Sequence, residues 1–439
     1  MKVADKSNQS RRAVLESLYA PNGNHTVKPD AEVAESEDSR ADVASMPVVV
    51  IDDVAELAAY IRSWEELARQ AIEPNAFYEH WMLMPALKHY GEGRKIKFVL
   101  IFSHNPGRKD GRGFLCGLFP LEIQNQYNGL YRKLPIKTIS LWKHEYSYLC
   151  APLLRAGYAR ETLAAFFDWI DSYAHGCPLI EFGHIPGDGP FHHLLVDYFN
   201  QSKRPNCVTD SFTRAVFRPA TDADAYLRAT LTRVRRKEVR RKQRRISEAG
   251  RVEYSTLEAG GHAESWIDSF LEFEARSWKG HAGCALACDE TDKAYFKTVA
   301  TEAFNRGQLM MLALSLDGRR IAYKCNFVSG RGSFAFKIAF DESYARFSPG
   351  VLLEMENIRL LHERTDVRWM DSCASPDRMM INQLWPVRRS IQTVVIATGR
   401  GAGEFFIALI PMLRWLSRKI RRFNPASRNQ AALSTENDK

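Results

Sequence analysis

One stretch of the sequence combines a strand, a polar loop and a helix start that together suit the binding of an anion. Alternating residues from Phe334 to Asp341 predict a strand with two different faces, and Ser348-Pro349-Gly350 predicts the first turn of a helix that runs to about Leu361. Such a turn presents unpaired backbone N–H groups and the positive end of the helix dipole, and Gly350 has no Cβ to keep a phosphate at a distance. The alternative interpretation is that Ser-Pro-Gly is only a favourable helix start. The order of the surrounding elements has to decide between the two.

Two carboxylates are candidates for acid–base chemistry. Asp371 ends a predicted strand that begins at Val367, and Glu274 lies on a predicted amphipathic helix. Either could accept a proton from a substrate, and a water-mediated base would also suffice. The structural alternatives are a helix cap or a partner for Arg378 in the case of Asp371, and a solvated carboxylate on the helix surface in the case of Glu274. The candidate substrate-binding residues are Trp278, Lys337 and Trp385.

Length and composition set broad limits on the protein. A chain of 439 residues, 45% of them hydrophobic, has room for two or three domains with sizeable cores. No N-terminal segment pairs a charged start with an apolar stretch, so we expect no secretory signal. The eight cysteines are scattered and have no zinc-site spacing, which favours reduced cysteines, no metal and a cytosolic protein.

The positive charge is concentrated in two segments. Residues 228–248 contain ten Lys/Arg against two Glu, a net charge of +8, and residues 400–422 contain six against one Glu, a net charge of +5. The whole chain carries only +9, so the remainder is slightly acidic. The segment 228–248 points to an anionic partner: nucleic acid, a phospholipid headgroup, a polyanionic glycan or the phosphates of a cofactor. It has no aromatic residue on which bases could stack, so specific DNA binding is not expected.

The predicted elements divide the chain into four parts. Residues 1–46 are polar and without periodicity, and we expect them to be disordered. Residues 47–218 begin with a short strand and two helices, followed by three strands, a helix, a strand and a helix. Residues 219–395 return to that order after the basic helix, with two helices, three strands, a helix and a strand. We therefore expect two similarly built units in tandem, followed by a tail of residues 396–439.

The tail contains an apolar run with a basic end. The run from Phe405 to Leu416 is interrupted by Pro411 and followed by four cations between Arg418 and Arg422. It is too short to span a bilayer comfortably, but a basic amphipathic segment with a Trp at its boundary suits the inner membrane surface. Docking on the second unit is the alternative.

Several short motifs recur in a fixed order along residues 48–395, and they carry a resemblance to a known family. The motifs are Glu73-Pro74-Asn75-Ala76-Phe77, Arg244-Arg245-Ile246 to Gly250, Glu274 to Gly280, Asp317 to Ala322, Ser348 to Leu353 and Trp369-Met370-Asp371. With the order of the elements, they resemble the GNAT superfamily of acyl-CoA N-acyltransferases, closest to the CelD/BcsL branch, which is related to the FemAB aminoacyltransferases. The resemblance implies an α/β (α+β) fold of two tandem GNAT-like units, each a mixed, mostly antiparallel sheet flanked by helices.

The resemblance also implies a cofactor site in the second unit. In GNAT enzymes the pyrophosphate of coenzyme A lies on the amides that open the helix, and pantetheine pairs with the strand before it. The corresponding residues here are Phe336, Ile338, Ser348, Pro349, Gly350, Val351 and Leu352. The first unit has Ala151-Pro152-Leu153 in the place of Ser348-Pro349-Gly350, and a leucine at the glycine position would hinder a phosphate, so we expect no cofactor there.

Two departures from the GNAT pattern concern the same unit. Arg346 is followed by Phe347-Ser348-Pro349-Gly350-Val351, which does not match the usual glycine spacing. No tyrosine follows Tyr344, whereas many GNAT enzymes use one beyond this point to protonate the leaving thiolate. The usual general acid is therefore missing from the sequence.

The expected function is transfer of an acyl group, acetyl in the first instance, from acetyl-CoA or another acyl-CoA to a small-molecule or glycan amine. By resemblance, the protein would act in exopolysaccharide or cell-envelope synthesis, in the cytoplasm, with a peripheral contact to the inner membrane surface through the tail. Two alternatives remain open. One is FemAB-like transfer from aminoacyl-tRNA, with the basic helix as the tRNA contact. The other is a non-catalytic accessory protein of a polysaccharide-synthesis complex.

Overall fold

The computed structural model of the protein describes residues 46–107, 109–125, 127, 136–174, 176–399 and 401–423. The predicted disordered segment 1–46 lies outside these residues except for Met46. The strands are β1 (Val48–Ile51), β2 (Ile96–His104), β3 (Arg112–Gln124), β4 (Thr138–Leu141), β5 (Leu153–Leu154), β6 (Leu179–Pro186), β7 (Asn206–Phe217), β8 (Val252–Thr256), β9 (Leu309–Leu316), β10 (Arg319–Ser329), β11 (Gly332–Phe340), β12 (Trp369–Asp371) and β13 (Val387–Ala397).

Helices alternate with these strands. The α-helices are Val54–Leu57, Ile61–Arg69, His80–Tyr90, Ala159–Tyr173, Gly189–Ser202, Ala223–Thr230, Arg233–Ala249, Ala263–Arg276, Trp278–His281, Glu290–Asn305, Pro349–Glu363, Met379–Leu384 and Ala402–Phe423. A 3-10 helix, Glu342–Phe347, joins β11 to the helix Pro349–Glu363.

The chain forms two compact units, which we call the N unit and the C unit. The C unit contains Pro74–Glu92 and Thr213–Arg389, and the N unit contains Met46–Glu73, Gly93–Phe212 and the residues from Ser390 onward. These bounds differ from the predicted 47–218 and 219–395. The segment 74–92 belongs to the C unit because its aromatic rings pack there. The ring centroids of Phe77 and Phe334 are 5.2 Å apart, and those of Trp81 and Phe327 are 5.6 Å apart.

The sheet of the C unit is mixed and mostly antiparallel. Strands β8, β9, β10 and β11 pair antiparallel in sequence, β12 pairs parallel with β11, and the end of β7 pairs antiparallel with β12. The predicted hairpin at Asp317-Gly318 is confirmed. Both residues have positive φ, 51° and 79°, as a two-residue hairpin turn that follows the strand twist requires.

The N unit has the same order of strands. Strands β1, β2, β3 and β4 pair antiparallel, β6 pairs parallel with β4, β13 pairs antiparallel with β6, and the short β5 pairs with β3. In each unit a three-strand meander leads through a helix to a strand parallel to the third strand of the meander. The predicted fold class, two tandem units with mixed sheets and flanking helices, is confirmed.

Some local predictions were wrong. Ala151-Pro152-Leu153 does not stand directly before a helix as Ser348-Pro349-Gly350 does, because Leu153 and Leu154 pair with β3 and the helix, predicted from Glu161, begins at Ala159. The run predicted as a strand from Ile139 to Leu149 is a strand only to Leu141. The sequence analysis also missed several elements, among them β5, β8, β13 and the helices Ala223–Thr230 and Met379–Leu384. The signal for β13 was present in its run of β-branched residues.

The C-terminal helix Ala402–Phe423 packs within the N unit. Its buried Ile407 and Ile410 join a cluster with Leu179 and Val395, so the alternative of docking on the second unit was wrong. No helix in the described part of the chain is long and apolar enough to cross a membrane. All eight cysteines are free thiols.

Candidate active site

Strand β11 has an open edge in the C unit. Strand β12 pairs only with Gly332, Ser333 and Phe334, so the rest of β11 has no strand on that side among the described residues. Asp341 donates its N–H to the carbonyl of Ile321 on β10. Since hydrogen-bonded pairs alternate along an antiparallel ladder, Ile338 turns its backbone groups away from β10, to the open edge. Main-chain groups on such an edge can pair with an extended ligand.

A β-bulge lies in the middle of this strand. On β10 the neighbours Cys325 and Asn326 pair with Lys337 and Ala335, so Phe336 is the extra residue. The bulge changes the direction of the side chains that follow it. Phe336 stacks on Phe296 of the helix Glu290–Asn305, and the next residue, Lys337, also points to this helical side, where it meets Glu274.

The turn that opens the helix Pro349–Glu363 has an unusual backbone. Ser348 lies in the left-handed region with φ 52° and ψ 59°, which is strained for a residue with a Cβ. Its carbonyl accepts from the N–H groups of Val351 and Leu352 at 2.9 and 3.2 Å. The Ser348 hydroxyl does not cap the helix as predicted and instead accepts a hydrogen bond from Lys242.

Gly350 is buried at the start of the helix. A Cβ at this position would lie 3.5 Å from Phe340, 3.8 Å from Met380 and 3.9 Å from Ile338. A Cβ here would therefore face neighbouring side chains at ordinary contact distances, and an alanine would fit. Phosphate binding at this turn stays a prediction.

The basic helix Arg233–Ala249 brings positive charge to this turn. Val239 and Ile246 are buried and anchor one face of the helix, and Lys242 lies between them in the sequence. Glu238 bridges Arg235 at 2.7 Å and Lys242 at 3.4 Å. Lys242 is thereby held at Ser348, where its charge adds to the helix dipole.

The two predicted bases have different surroundings, and neither is solvated. Glu274 is fully buried, and its Oε1 lies 3.0 Å from the Nζ of Lys279 and 3.5 Å from the Nζ of Lys337. Its Oε2 accepts from the N–H of Leu286 at 3.0 Å. The alternative of a solvated helix-face carboxylate was therefore wrong, and Glu274 lies beside the open edge of β11.

Asp371 lies in a buried ion cluster. Its Oδ1 is 2.6 Å from Nε of Arg214 and its Oδ2 is 2.7 Å from the NH2 nitrogen of Arg214, with Arg389 at 3.5 Å. The N–H of Cys373 donates to Oδ1 at 2.9 Å. The partner is Arg214, not the proposed Arg378. These contacts tie the end of β12 to β7 through Arg214 and to β13 through Arg389, so Asp371 has a structural role.

The two predicted substrate-binding tryptophans differ in how far they are buried. Trp278 is 44% exposed, and its backbone N–H donates to the carboxylate of Glu342, just after β11, at 2.9 Å. Trp385 is fully buried in the core of the C unit, with its ring centroid 5.8 Å from that of Phe217. Trp278 can therefore contact a ligand from solvent, whereas Trp385 packs the core beneath.

Sequence reasoning did not select Lys242 or Lys279. Lys279 lies in the quoted motif from Glu274 to Gly280, so its neighbourhood was recognised without its role. Lys242 was one of ten cations, and its partner Ser348 is 106 residues away. No local pattern distinguishes that lysine from its neighbours.

The comparisons with known proteins agree with this geometry. Residues 233–378 match the family model of the acetyltransferase (GNAT) domain. That segment begins at the basic helix, ends after β12 and includes the open edge, the bulge and the turn. This part of the C unit is thus similar to a GNAT acetyltransferase domain. No curated protein matches the chain significantly.

Solved structures resemble about three quarters of the chain or more at low identity. The crystal structure of FemX has 10% identity and a TM-score of 0.51, covering 76% of this chain and 95% of that one. A conserved protein of unknown function from Bacteroides thetaiotaomicron has 9% identity and a TM-score of 0.47, covering 80% and 100%. A tandem GNAT protein from the clavulanic acid pathway has 13% identity and a TM-score of 0.40, covering 81% and 100%. The likeness to FemX shows a shared fold, and the CelD/BcsL branch stays a prediction.

Proposed function

We propose that the C unit transfers an acyl group, acetyl in the first instance, from acyl-CoA to an amine acceptor. The observation that carries this proposal is the continuity of three features. The open edge of β11 leads to the turn at Ser348, and Lys242 lies on that turn. The amides of pantetheine would pair with the edge, and the diphosphate would meet the helix start and the ammonium group.

The proposed reaction requires little covalent chemistry from the protein. The neutral amine attacks the thioester carbon, a backbone N–H of the open edge stabilises the oxyanion, and the C–S bond then breaks. The nitrogen loses one proton and the departing sulfur gains one. Of the two predicted bases, Glu274 lies beside the edge, where a water molecule could relay the proton, while Asp371 is engaged by Arg214.

Calorimetric titration with acetyl-CoA tests the cofactor site. We expect saturable binding that weakens about tenfold or more in Lys242→Gln, because a charge-assisted hydrogen bond to phosphate is lost. Lys237→Gln is the matched control, since Lys237 is exposed on the same helix. Equal affinities in both variants, or no binding by the wild type, would overturn the proposal. Gly350→Glu is less suitable because its carboxylate would be forced against Phe340 and Met380.

A second candidate function is supported by the exposed cations of the basic helix. We keep FemAB-like transfer from aminoacyl-tRNA as this alternative, because a row of exposed Lys/Arg suits a nucleic-acid backbone. The exposed cations are Arg233, Lys237, Arg240, Arg241, Arg244 and Arg245. Titration with charged and uncharged tRNA over a range of salt concentrations distinguishes this from the acyl-CoA proposal.

A non-catalytic role is the remaining alternative. Saturable CoA binding, with no thiol release on a panel of small-molecule and glycan amines, would favour an accessory protein. Action in exopolysaccharide or cell-envelope synthesis, as in the CelD/BcsL branch, is part of our proposal and rests on the sequence resemblance alone.

We also propose a cytoplasmic protein that touches the inner membrane through the helix Ala402–Phe423. Phe405, Met412 and Trp415 are 62%, 50% and 55% exposed, and their spacing puts them on one face of the helix. The cationic residues 418–422 follow in the sequence. This combination suits an anionic lipid surface.

A further inference from the structure

Two lysines and a glutamate converge at the open edge of β11. The Nζ of Lys279 lies 3.0 Å from Glu274 Oε1 and donates to the carbonyl of Ile338 at 2.7 Å. The Nζ of Lys337 lies 3.5 Å from the same carboxylate oxygen. Glu274 is fully buried, while 18% of the Lys279 side chain and 12% of the Lys337 side chain are exposed. The group therefore lies at the boundary between the protein interior and the edge.

Both ammonium groups face the same carboxylate oxygen in a largely desolvated place. Positive charge in such a place is most stable when an anion binds next to it. The proposed reaction produces one anion on this strand, the thiolate that leaves from acyl-CoA.

The backbone fixes where Lys279 lies. The helix Ala263–Arg276 ends at Ser277, whose hydroxyl accepts from the N–H of Lys279 at 3.3 Å. At Gly280 the chain returns so closely that a Cβ would be 1.7 Å from the carbonyl oxygen of Ala275. Only glycine permits this approach, so the turn that directs Lys279 to β11 depends on Gly280.

We propose that Lys279, held by Glu274 and flanked by Lys337, binds the leaving thiolate and gives it a proton. This inference rests on the proposed function. In many GNAT enzymes a tyrosine protonates the leaving thiolate, and this sequence has no tyrosine after Tyr344. The proposal gives that role to Lys279. Lys279 now donates to the carbonyl of Ile338, which a pantetheine amide would use. When the cofactor arrives, that N–H of Lys279 is released, and the bond to Glu274 keeps the ammonium group at the edge.

Protons and electrons balance in this step. The C–S bond breaks with its electron pair on sulfur, and a proton moves from Nζ of Lys279 to sulfur, so that the thiol leaves. The nitrogen of the acceptor gives up one proton when the new C–N bond has formed. That proton returns Lys279 to its charged form, by way of solvent or Glu274.

The surroundings favour proton donation. Burial lowers the pKa of Lys279, Glu274 opposes this shift, and the charge of Lys337 adds to it. Other titratable groups near this place are Cys284, which follows in the same loop, Cys325, whose buried thiol interacts with Glu274, and Glu342, which accepts a hydrogen bond from the backbone N–H of Trp278. A lysine that releases its proton more readily than usual is the better acid.

Comparison of CoA with desulfo-CoA tests the inference without knowledge of the acceptor. The two ligands differ only in the thiol, so the ratio of their affinities isolates the contribution of sulfur. A cation within a few ångströms lowers a thiol pKa by about 1–3 units. We therefore expect CoA to gain about tenfold or more over desulfo-CoA between pH 6 and pH 9 in the wild type.

Variants separate the inference from the fold and from the proposed function. In Lys279→Gln the gain should vanish while desulfo-CoA still binds, which also shows that the site is folded. Lys293→Gln is the matched control, since Lys293 pairs with the exposed Glu290 and should keep the gain. A ratio that does not change with pH in the wild type, or one that persists in Lys279→Gln, overturns this inference alone. If neither ligand binds the wild type, the proposed function is overturned and the inference with it.

Discussion

Replacing Asp371 by asparagine separates a structural role from a catalytic one. The wild-type carboxylate makes contacts of 2.6 and 2.7 Å with Arg214 and lies 3.5 Å from Arg389. All three residues are buried, and burial lowers the pKa of Arg389, so this cation is poorly solvated. Asp371→Asn keeps the shape of the side chain but removes the negative charge that the two buried guanidinium groups share.

The expected loss of stability is large. Breaking a buried ion pair by removing one partner typically costs about 3–5 kcal/mol. A folded unit is stable by only about 5–15 kcal/mol, so the C unit would lose about a fifth or more of its stability. For a unit of this size, each kcal/mol lowers the melting temperature by about 2–4 °C. The unfolding transition should therefore move down by about 6–20 °C.

Thermal and urea unfolding, followed by fluorescence and circular dichroism, measure this change. Asp377→Asn is the control, because Asp377 is exposed nearby in the sequence and its replacement should change stability by no more than about 0.5 kcal/mol. A different result would refute the reasoning. If Asp371→Asn melts like the wild type and only acyl transfer is lost, Asp371 is the catalytic base and not a structural anchor.

Three further predictions concern other parts of the molecule. Burial raises the pKa of Glu79 above its ordinary value of about 4.5. The contribution of Glu79 to the stability of the C unit is therefore complete below about pH 4.5 and is lost as the pH rises through the raised pKa. In urea unfolding measured at a series of pH values, Glu79→Gln should flatten the profile of stability over this range. Gly280→Ala should displace Lys279 and abolish the pH-dependent preference for CoA over desulfo-CoA. Gly183→Ala is the control, because its new Cβ would have its nearest neighbour at 3.6 Å, and it should leave this preference unchanged. Trp415→Ser should reduce sedimentation with phosphatidylglycerol vesicles and Val208→Ser, an exposed residue of the same unit, should not; equal sedimentation of both variants would contradict the proposed membrane contact.

Much of the C unit was predictable from the sequence because its signals are local. The period of two from Phe334 to Asp341, the turn at Asp317-Gly318 and the helix after Ser348 each depend on neighbouring residues. The order of these elements was sufficient to predict two tandem units. The strand β13 carried a similar signal, and it was missed although it lies largely within the expected bounds of the second unit.

The unit boundaries and the charge partners were not predictable in this way. The helix His80–Tyr90 follows a strand and helices of the N unit in sequence, yet Trp81 packs on Phe327 in the C unit. Asp371 meets Arg214, which is 157 residues distant, and the sequence offered Arg378 as the nearer choice. No local sequence pattern distinguishes an arginine with a buried ion-pair partner from an arginine on the surface.

The sequence by itself therefore determined most of the elements, their order, and the strand and turn of the proposed cofactor site. The tertiary structure alone decided which charges meet at that strand. The bulge at Phe336 directs Lys337 towards Glu274, and the tight turn at Gly280 directs Lys279 to the same carboxylate. The physical reason is that side-chain direction depends on register, and a shift of one residue sends every following side chain to the other face of a strand. Backbone preferences are encoded by neighbours in the chain, whereas register and charge pairing follow from contacts between distant segments.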